Sequence, residues 1–568
     1  MKILGLNAGE FNTSASVLQN GEITTAAQEE RFSRTKFTKE FPYNAIKFCL
    51  DKDKLIISDF EAISFGWNPS AHMFKYNSEF SALRIKRENN FYSMSDNLFN
   101  LTNRNPGNYT SIKHGNKKNM PEIFHVQHHL CHASNSFFLS NFDEAAILTV
   151  DFKGEQQCTT WSYGKSNEIK VLDYQNIPNS LGIIYATFTS ILGYKPDSDE
   201  WKVMAMSAYD IDCKKYIKKI KSTYKLLKNG KLKLNHQFYG FSNLQNKLLY
   251  TNKLLKLLNI TSVGYKKSPS EKDIVIAKAL QVCSEEIATH FLSHLYKLTK
   301  CKNLVLGGGF FMNSVFNGKI EDKTNFKNIF IPYAPSDTGN SIGSSLYTYH
   351  CIKKRKRKKI SNTALLGPNY INKEIEKVLV KRKVKFKKIK NFAKVIAEEC
   401  NNGGIVAYFR NKLEFGDRSL GCRSIIADPR HTKTKNQINA SIKYRENYRP
   451  FAPAVIEEQA YKFFDVKKDY KCRYMEKVVK VKKEFRNKLL AVTHFDNSGR
   501  LQTVNKQENP DFYNILLEFE KLTNLPILLN TSFNMNGEPV VNNPDDAINT
   551  FLNCKLKTMV IGDYLIKK

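Results

Sequence analysis

Twice along this chain a strand, a tight turn and a second strand follow one another before any helical pattern begins. The first instance reads "KILGLNAGE" and then "SASVLQNGEITTAAQEE", with Asn20-Gly21 as a two-residue hairpin turn. The second reads "EAAILTVDFKGE" and then "CTTWSYGKSNEIKVLDY". A third apolar strand, "KNLVLGGGFFMNS", runs into three glycines and opens a helix. Strands returning in this way between helical stretches predict an α/β fold. With 568 residues the chain is too long for one core, so two or three domains are expected. We place the boundary near residue 361, after the basic run "CIKKRKRKKI", read as a solvated linker or a polyanion contact. Beyond it "INKEIEKVLVKRK" is an amphipathic helix, and "GGIVAYF" and "LPILLNTSF" are buried strands.

Glycine-rich turns at strand ends let backbone amides approach phosphate oxygens closely. Gly307, Gly308, Gly309 and the following Asn313, together with Gly154 in "VDFKGE", are therefore the candidate nucleotide-binding residues of an actin- and sugar-kinase-type fold in residues 1–360. Histidines supply a second signal. In "VQHHLCHASNSFF", His128 and His132 stand four apart and share one face of a helix. Taken alone, such a pair is more often a pair of ordinary surface or core histidines than a metal site. Two strand-end carboxylates, Asp151 and Asp337 in "APSDTGNSIG", complete a set of two imidazoles and two carboxylates that suits iron, manganese or zinc at an open catalytic site.

The second half reads differently. "EFGDRSLGCRSIIADPR" and "INASIKYRENYRPFAPAV" set Arg418, Arg423, Arg430, Lys443, Arg445 and Arg449 among glycine, proline and apolar residues. A solvated helix face would mix signs; this composition favours a phosphate pocket. Arg500, Thr531 and Ser532 add a base and two hydroxyls.

Charge bears on the partner. Lys and Arg number 88 against 54 Asp and Glu, a net +34. AT-rich coding explains abundant lysine better than it explains the imbalance, and a chain this basic binds polyanions. Two lysine-rich stretches, 83–120 and 212–267, look inserted; both interleave bases with aromatic residues, and solvated helix faces explain the second equally well. The eleven cysteines form no C-x-x-C pair, which fits a reducing compartment. The opening residues show no charged segment followed by a long apolar core, and no stretch approaches the ~20 apolar residues of a membrane span. A cytoplasmic chain without membrane contact is expected.

At the level of whole motifs the sequence resembles the O-carbamoyltransferases of antibiotic tailoring and nodulation-factor synthesis. The resemblance runs nearly end to end, through "AAQEERFSRTKFTKEFPYNAI", "HHLCHA", "IPNSLGIIYATFTSILGYKPDSDEWKVMAMSAYD", "LGGGFFMNSVFNGKI", "APSDTGNSIG", "EFGDRSLGCRSIIADPR", "YRPFAPAV" and "LLNTSFNMNGEPVV". It implies a duplicated ASKHA-like transfer domain over 1–360 and a YrdC-like domain over 361–568. In the latter, carbamoyl phosphate and ATP, with magnesium, would give carbamoyl-adenylate on Arg418, Arg423, Lys443, Arg445, Arg449, Arg500, Thr531 and Ser532, with Lys443 catalytic. In the former an iron-type metal on His128, His132, Asp151 and Asp337 would assist transfer to a hydroxyl, with Asp151 catalytic and His129 a bystander. The sequence departs from the pattern where the family carries a His-Asp pair before "ASAAL": Phe11 and Asn12 stand there, which leaves Glu10 as the candidate acceptor-side base. Asp417 replaces a proline beside Arg418. The charge then points to a nucleic-acid acceptor. For DNA the acceptor is a hydroxymethylated pyrimidine such as 5-hydroxymethylcytosine; a sugar, glycan or natural-product hydroxyl is the alternative.

Overall fold

A computed structural model describes residues 1–8, 11–68, 109–112, 120–240, 248–261, 263–264, 268–359, 361–446 and 448–568. The chain divides into two compact units. The first comprises Met1–Glu29, Phe37–Met312 and Lys319–Asn362; the second comprises Thr363–Lys568 together with Glu30–Lys36 and Asn313–Gly318. Two short segments of the N-terminal half therefore pack with the C-terminal unit. Insertion 83–120 lies outside the described residues except for Tyr109–Ile112 and Met120.

The first unit holds two sheets of one design. Strands β1 (Lys2–Asn7), β2 (Ser14–Gln19), β3 (Glu22–Gln28), β4 (Ala62–Phe65), β5 (Tyr109–Ile112) and β6 (Glu122–Val126) lie in the order β3-β2-β1-β4-β6-β5. Strands β7 (Glu144–Val150), β8 (Gln157–Lys165), β9 (Glu168–Asn176), β12 (Asn303–Gly307) and β13 (Asn328–Phe330) lie in the order β9-β8-β7-β12-β13. Between β9 and β12 a separate hairpin, β10 (Tyr224–Leu226) and β11 (Leu232–Leu234), forms its own two-stranded sheet. In both large sheets the first three strands are antiparallel neighbours, and the next two join in parallel. The same order and sense, five strands long and used twice, is the duplicated actin and sugar-kinase (ASKHA) arrangement. The Asn20-Gly21 turn has positive φ at both residues, 51° and 93°, as a type I′ hairpin requires.

Two helices seat the site. Every residue of His128–Leu139 is buried, as is every residue of Asn340–Tyr347. Glycines let them pack closely: a Cβ on Gly343 would sit 2.0 Å from the Cys131 carbonyl oxygen of the histidine helix, and one on Gly5 of β1 would sit 2.0 Å from the Ser341 carbonyl oxygen. The basic run after this core is not wholly solvated. Arg357 donates to the carbonyls of Phe137, Phe138 and Phe142 and lies 4.4 Å from the Phe137 ring centroid, so it caps the histidine helix instead of waiting for a polyanion.

In the second unit nine strands form one sheet: β14 (Lys387–Lys388), β15 (Ile405–Phe409), β16 (Arg423–Ala427), β17 (Ala452–Ile456), β18 (Lys477–Lys480), β19 (Ser498–Val504), β20 (Ile527–Ser532), β21 (Thr558–Ile561) and β22 (Tyr564–Lys567). Their order is β14-β22-β21-β15-β16-β20-β17-β19-β18. Both faces are covered. Along β15, Ile405, Ala407 and Phe409 enter one core, while Val406 and Tyr408 enter the other.

Candidate metal centre and anion pocket

The histidine helix is tied down at both ends and in the middle. Glu155 Oε1 accepts the His128 amide at 2.9 Å, taking one of the four amides a helix start leaves without partners. Ser136 Oγ donates to the Leu306 carbonyl of β12 at 2.8 Å, and Asn135 Nδ2 donates to the Ala334 carbonyl, in the loop before Asp337, at 2.7 Å. These bonds fix the two imidazoles against the strand ends that carry the carboxylates. His132 Nε2 lies 3.1 Å from Asp151 Oδ2 and 3.4 Å from Asp337 Oδ1; His128 Nε2 lies 3.4 Å from Asp337 Oδ1 and 3.0 Å from His132 Nε2. Ligand atoms of all four residues fall within 4.8 Å of one another.

Protons reveal what the quartet wants. Burial disfavours a charged imidazole, yet the hydrogen bonds that His132 donates to Asp151 and Asp337 raise it to about 9. Burial, then the charge of Asp151, raises Asp337 to about 7, and Asp197 adds to the effect. Burial works against ionised Asp151, but the His132 hydrogen bond and charge, with the Gly309 amide, outweigh it and hold this carboxyl well below its usual range. Burial, then His132, pushes His128 well down. Protons are thus held among two carboxylates where a divalent cation would balance the same charge, so the donor set fits one. Asn340 supports this fit. Its Nδ2 is 3.3 Å from His128 Nδ1, and its Oδ1 is buried with no partner among the described residues. A half-turn of the amide sets Oδ1 on Nδ1, fixing the His128 proton there and leaving the Nε2 lone pair for ligation.

His129 stands apart, with Nδ1 2.6 Å from Thr149 Oγ1 and Nε2 3.1 Å from the Gln157 carbonyl. The glycines need correction as nucleotide ligands. The Gly154 amide donates to the Gln157 carbonyl, that of Gly308 to the Pro335 carbonyl, and that of Gly309 to Asp151 Oδ2 at 2.7 Å. A Cβ on Gly308 would lie 2.2 Å from the Val150 carbonyl oxygen, and one on Gly307 would lie 2.8 Å from the His132 carbonyl oxygen. Their smallness brings β12 against β7 and the histidine helix and aims Asp151; no amide of Gly154, Gly308 or Gly309 remains to cradle a phosphate. Asn313 belongs to the second unit, where its side chain caps Ser314–Asn317. Glu10 lies outside the described residues. Asn12 donates to Thr338 Oγ1 at 2.5 Å, so this departure from the family's His-Asp pair places a neutral amide there.

Within the second unit, Lys443, Arg445 and Arg449 follow the helix Thr432–Ser441, Arg500 projects from β19, and Ser532 ends β20. Burial, then Arg449 and Arg500, depresses Arg445; burial, then Arg418 and Arg449, depresses Arg500; burial, then Arg445, Arg449 and Lys36, depresses Lys443. Buried cations that repel one another in this way would be relieved by an anion, so the cluster is a candidate anion pocket. Lys36 was missed in the sequence because it lies some four hundred residues away. Arg500 Nε is buried with no partner among the described residues. Lys443 Nζ meets Ser532 Oγ at 3.2 Å, the Ser532 carbonyl, and Asn534 O and Oδ1 at 2.8 and 2.7 Å, so its ammonium is anchored at the end of β20. Thr531 pairs with Ile425 in that strand. Arg423 is a correction: fully buried on the Phe409 ring, it donates to the carbonyls of Arg410, Asn411, Cys422 and Pro368 and works as a structural brace. Arg430 is likewise engaged by Asp428 and Asn401.

Fold and sites define a two-unit α/β protein with four converging histidine and aspartate side chains in one unit and a cluster of buried basic side chains in the other. Residues 2–346 match the family described as carbamoyltransferase N-terminus, and residues 397–568 match carbamoyltransferase C-terminus. The chain belongs to the carbamoyltransferase family and is a carbamoyltransferase. It is 31% identical over 601 residues to an uncharacterized protein of Synechocystis sp., covering 100% of this chain and 96% of the relative. It is 32% identical over 559 residues to the nodulation protein NolNO of Sinorhizobium fredii, covering 98% and 78%. Among solved structures, HypF of T. kodakarensis is 12% identical with a TM-score of 0.31, covering 64% of this chain and 48% of that one. No helix among the described residues is long and apolar enough to cross a membrane.

Proposed function

We propose that the protein is an ATP-dependent O-carbamoyltransferase whose two units divide the work. In the second, YrdC-like unit, Arg418, Arg445, Arg449 and Arg500 hold the phosphates of carbamoyl phosphate and magnesium-ATP. There water cleaves the bond between carbamoyl and phosphate, phosphate leaves, and an oxygen of the carbamate so formed bonds to the α-phosphorus of ATP as the α–β phosphoanhydride bond breaks; pyrophosphate leaves, and carbamoyl-adenylate results. A buried cation group excludes water from this labile intermediate. In the first unit the acceptor oxygen attacks the carbamoyl carbon, AMP leaves, and a carboxylate takes the hydroxyl proton, with Glu10 as the candidate. His128, His132, Asp151 and Asp337 would hold a divalent metal, iron ahead of manganese or zinc, which when bound supplies Lewis acidity toward the carbamoyl carbonyl. The convergence of those four side chains carries the reading.

The acceptor in this proposal is nucleic acid, specifically the hydroxymethyl group of 5-hydroxymethylcytosine in DNA, on the strength of the +34 charge. A hydroxyl on a free sugar, glycan or natural product is the second reading, favoured by the likeness to a nodulation protein through both halves. Incubation with carbamoyl phosphate, ATP and a panel of hydroxymethylcytosine DNA, unmodified DNA, sugars and aminoglycosides separates them by mass spectrometry. A carbamoyl increment on the modified DNA is expected; an increment on a free sugar alone selects the second reading.

A further inference from the structure

Between Cys213 and Ser270 there is no Asp or Glu, and there are 14 lysines. At the chain's average, 54 acids in 568 residues, about five acids would fall in a stretch of that length. AT-rich coding does not account for this, since the same bias also supplies acidic residues elsewhere in the chain.

The described part of this stretch places like charges where they repel. Lys225 of β10 and Lys233 of β11 are directly opposite one another across the hairpin, and both are exposed. Like charges in that position destabilise a sheet. On the helix Lys214–Lys221, Lys214 and Lys218 are exposed and four apart, another repulsive spacing, while Ile220 is buried on the opposite face. Lys221 is paired with Glu286, and Lys231 with Asp173; Lys214, Lys215, Lys218, Lys225, Lys228 and Lys233 have no acidic partner among the described residues. Tyr174, 39% exposed with Lys231 over its ring, offers an aromatic face beside them.

The hairpin is anchored next to the metal centre. Leu232 N donates to Gln175 Oε1 at 2.7 Å and Leu234 N to Asn179 Oδ1 at 2.9 Å. The next residue, Ser180, donates through Oγ to the Asp151 and Phe152 carbonyls, both at 2.9 Å. The lysine-bearing strands therefore sit on the segment that backs a proposed metal ligand.

We infer that the exposed face of Lys214–Lys221 and the β10–β11 hairpin is a docking surface for the phosphate backbone of a nucleic acid whose hydroxyl is delivered to the neighbouring centre. This rests on the nucleic-acid reading of the acceptor. A protein partner is disfavoured because interface cores are depleted in lysine. A lipid surface is disfavoured because the exposed positions of the helix and hairpin carry lysine, serine and asparagine and no apolar wedge. Phosphates neutralise the repelling pairs and release counterions.

The test is binding of labelled duplex DNA as a function of salt, with the full-length protein and two double variants, Lys225→Glu/Lys233→Glu and Lys214→Glu/Lys218→Glu. Each should weaken binding about tenfold or more near 0.1 M salt and reduce the slope of log affinity against log salt by about two. ATP–pyrophosphate exchange dependent on carbamoyl phosphate should be unchanged in both, which reports intact folding. Tight, salt-steep binding that neither variant alters overturns the surface while leaving the nucleic-acid reading standing. Absence of salt-dependent DNA binding by the unaltered protein, or a preference for phosphatidylserine vesicles over DNA, overturns both.

Discussion

His132 keeps its proton to about pH 9 and Asp337 to about 7, and a metal ion has to displace both. The sign follows: metal affinity is greatest above pH 9, falls as pH drops below 9, and falls more steeply below 7. Metal uptake should release about one proton at pH 8 and about two at pH 6. Calorimetry in buffers of different ionisation enthalpy checks this; uptake without proton release would contradict the ligand set. Removing both imidazoles, His128→Ala with His132→Ala, should abolish metal binding, and full occupancy in that variant would exclude the site. Asn340 gives a finer check. Asn340→Leu cannot accept from His128 Nδ1 and should lower metal affinity by about 10- to 100-fold, whereas Asn340→Asp, still an acceptor, should stay near the unaltered protein. Equal losses in both would assign Asn340 a packing role only.

Between elements, the close approach of helix and strand is the vulnerable feature. Gly343→Ala drives a Cβ into the Cys131 carbonyl oxygen, where backbone cannot yield cheaply. It should cost about 1–3 kcal/mol of stability, read as a lowered urea midpoint; an unchanged midpoint would mean that the two helices separate easily. Elements of this kind divide what a sequence discloses from what it hides. Asn20-Gly21 is readable because a type I′ turn demands positive φ twice and few residues comply. His128 and His132 are readable as a pair because helical periodicity alone puts them on one face. The glycines after β12 are not readable in the same way: a sequence shows a missing side chain but not which carbonyl approaches it, and here it is Val150 and His132, not a phosphate. Nor does composition distinguish Arg423 from Arg500. Both are basic residues in apolar strands, but Arg423 ends among four carbonyls, whereas Arg500 faces other cations. Lys36 is hidden for a third reason, since only the folded chain brings Glu30–Lys36 into the second unit.

In the proposed reaction of the whole molecule, two half-reactions fall to two sets of residues, one built of carboxylates and imidazoles, the other of arginines. Removing one arginine that holds a phosphate costs a few kcal/mol, roughly a hundredfold in rate. The most direct measurement is ATP–pyrophosphate exchange dependent on carbamoyl phosphate, run beside carbamoyl transfer to an acceptor, in His132→Ala and in Arg449→Ala. Under this division of labour His132→Ala keeps exchange and loses transfer, while Arg449→Ala loses exchange by about a hundredfold and transfer with it. Loss of exchange in His132→Ala with exchange intact in Arg449→Ala would contradict it.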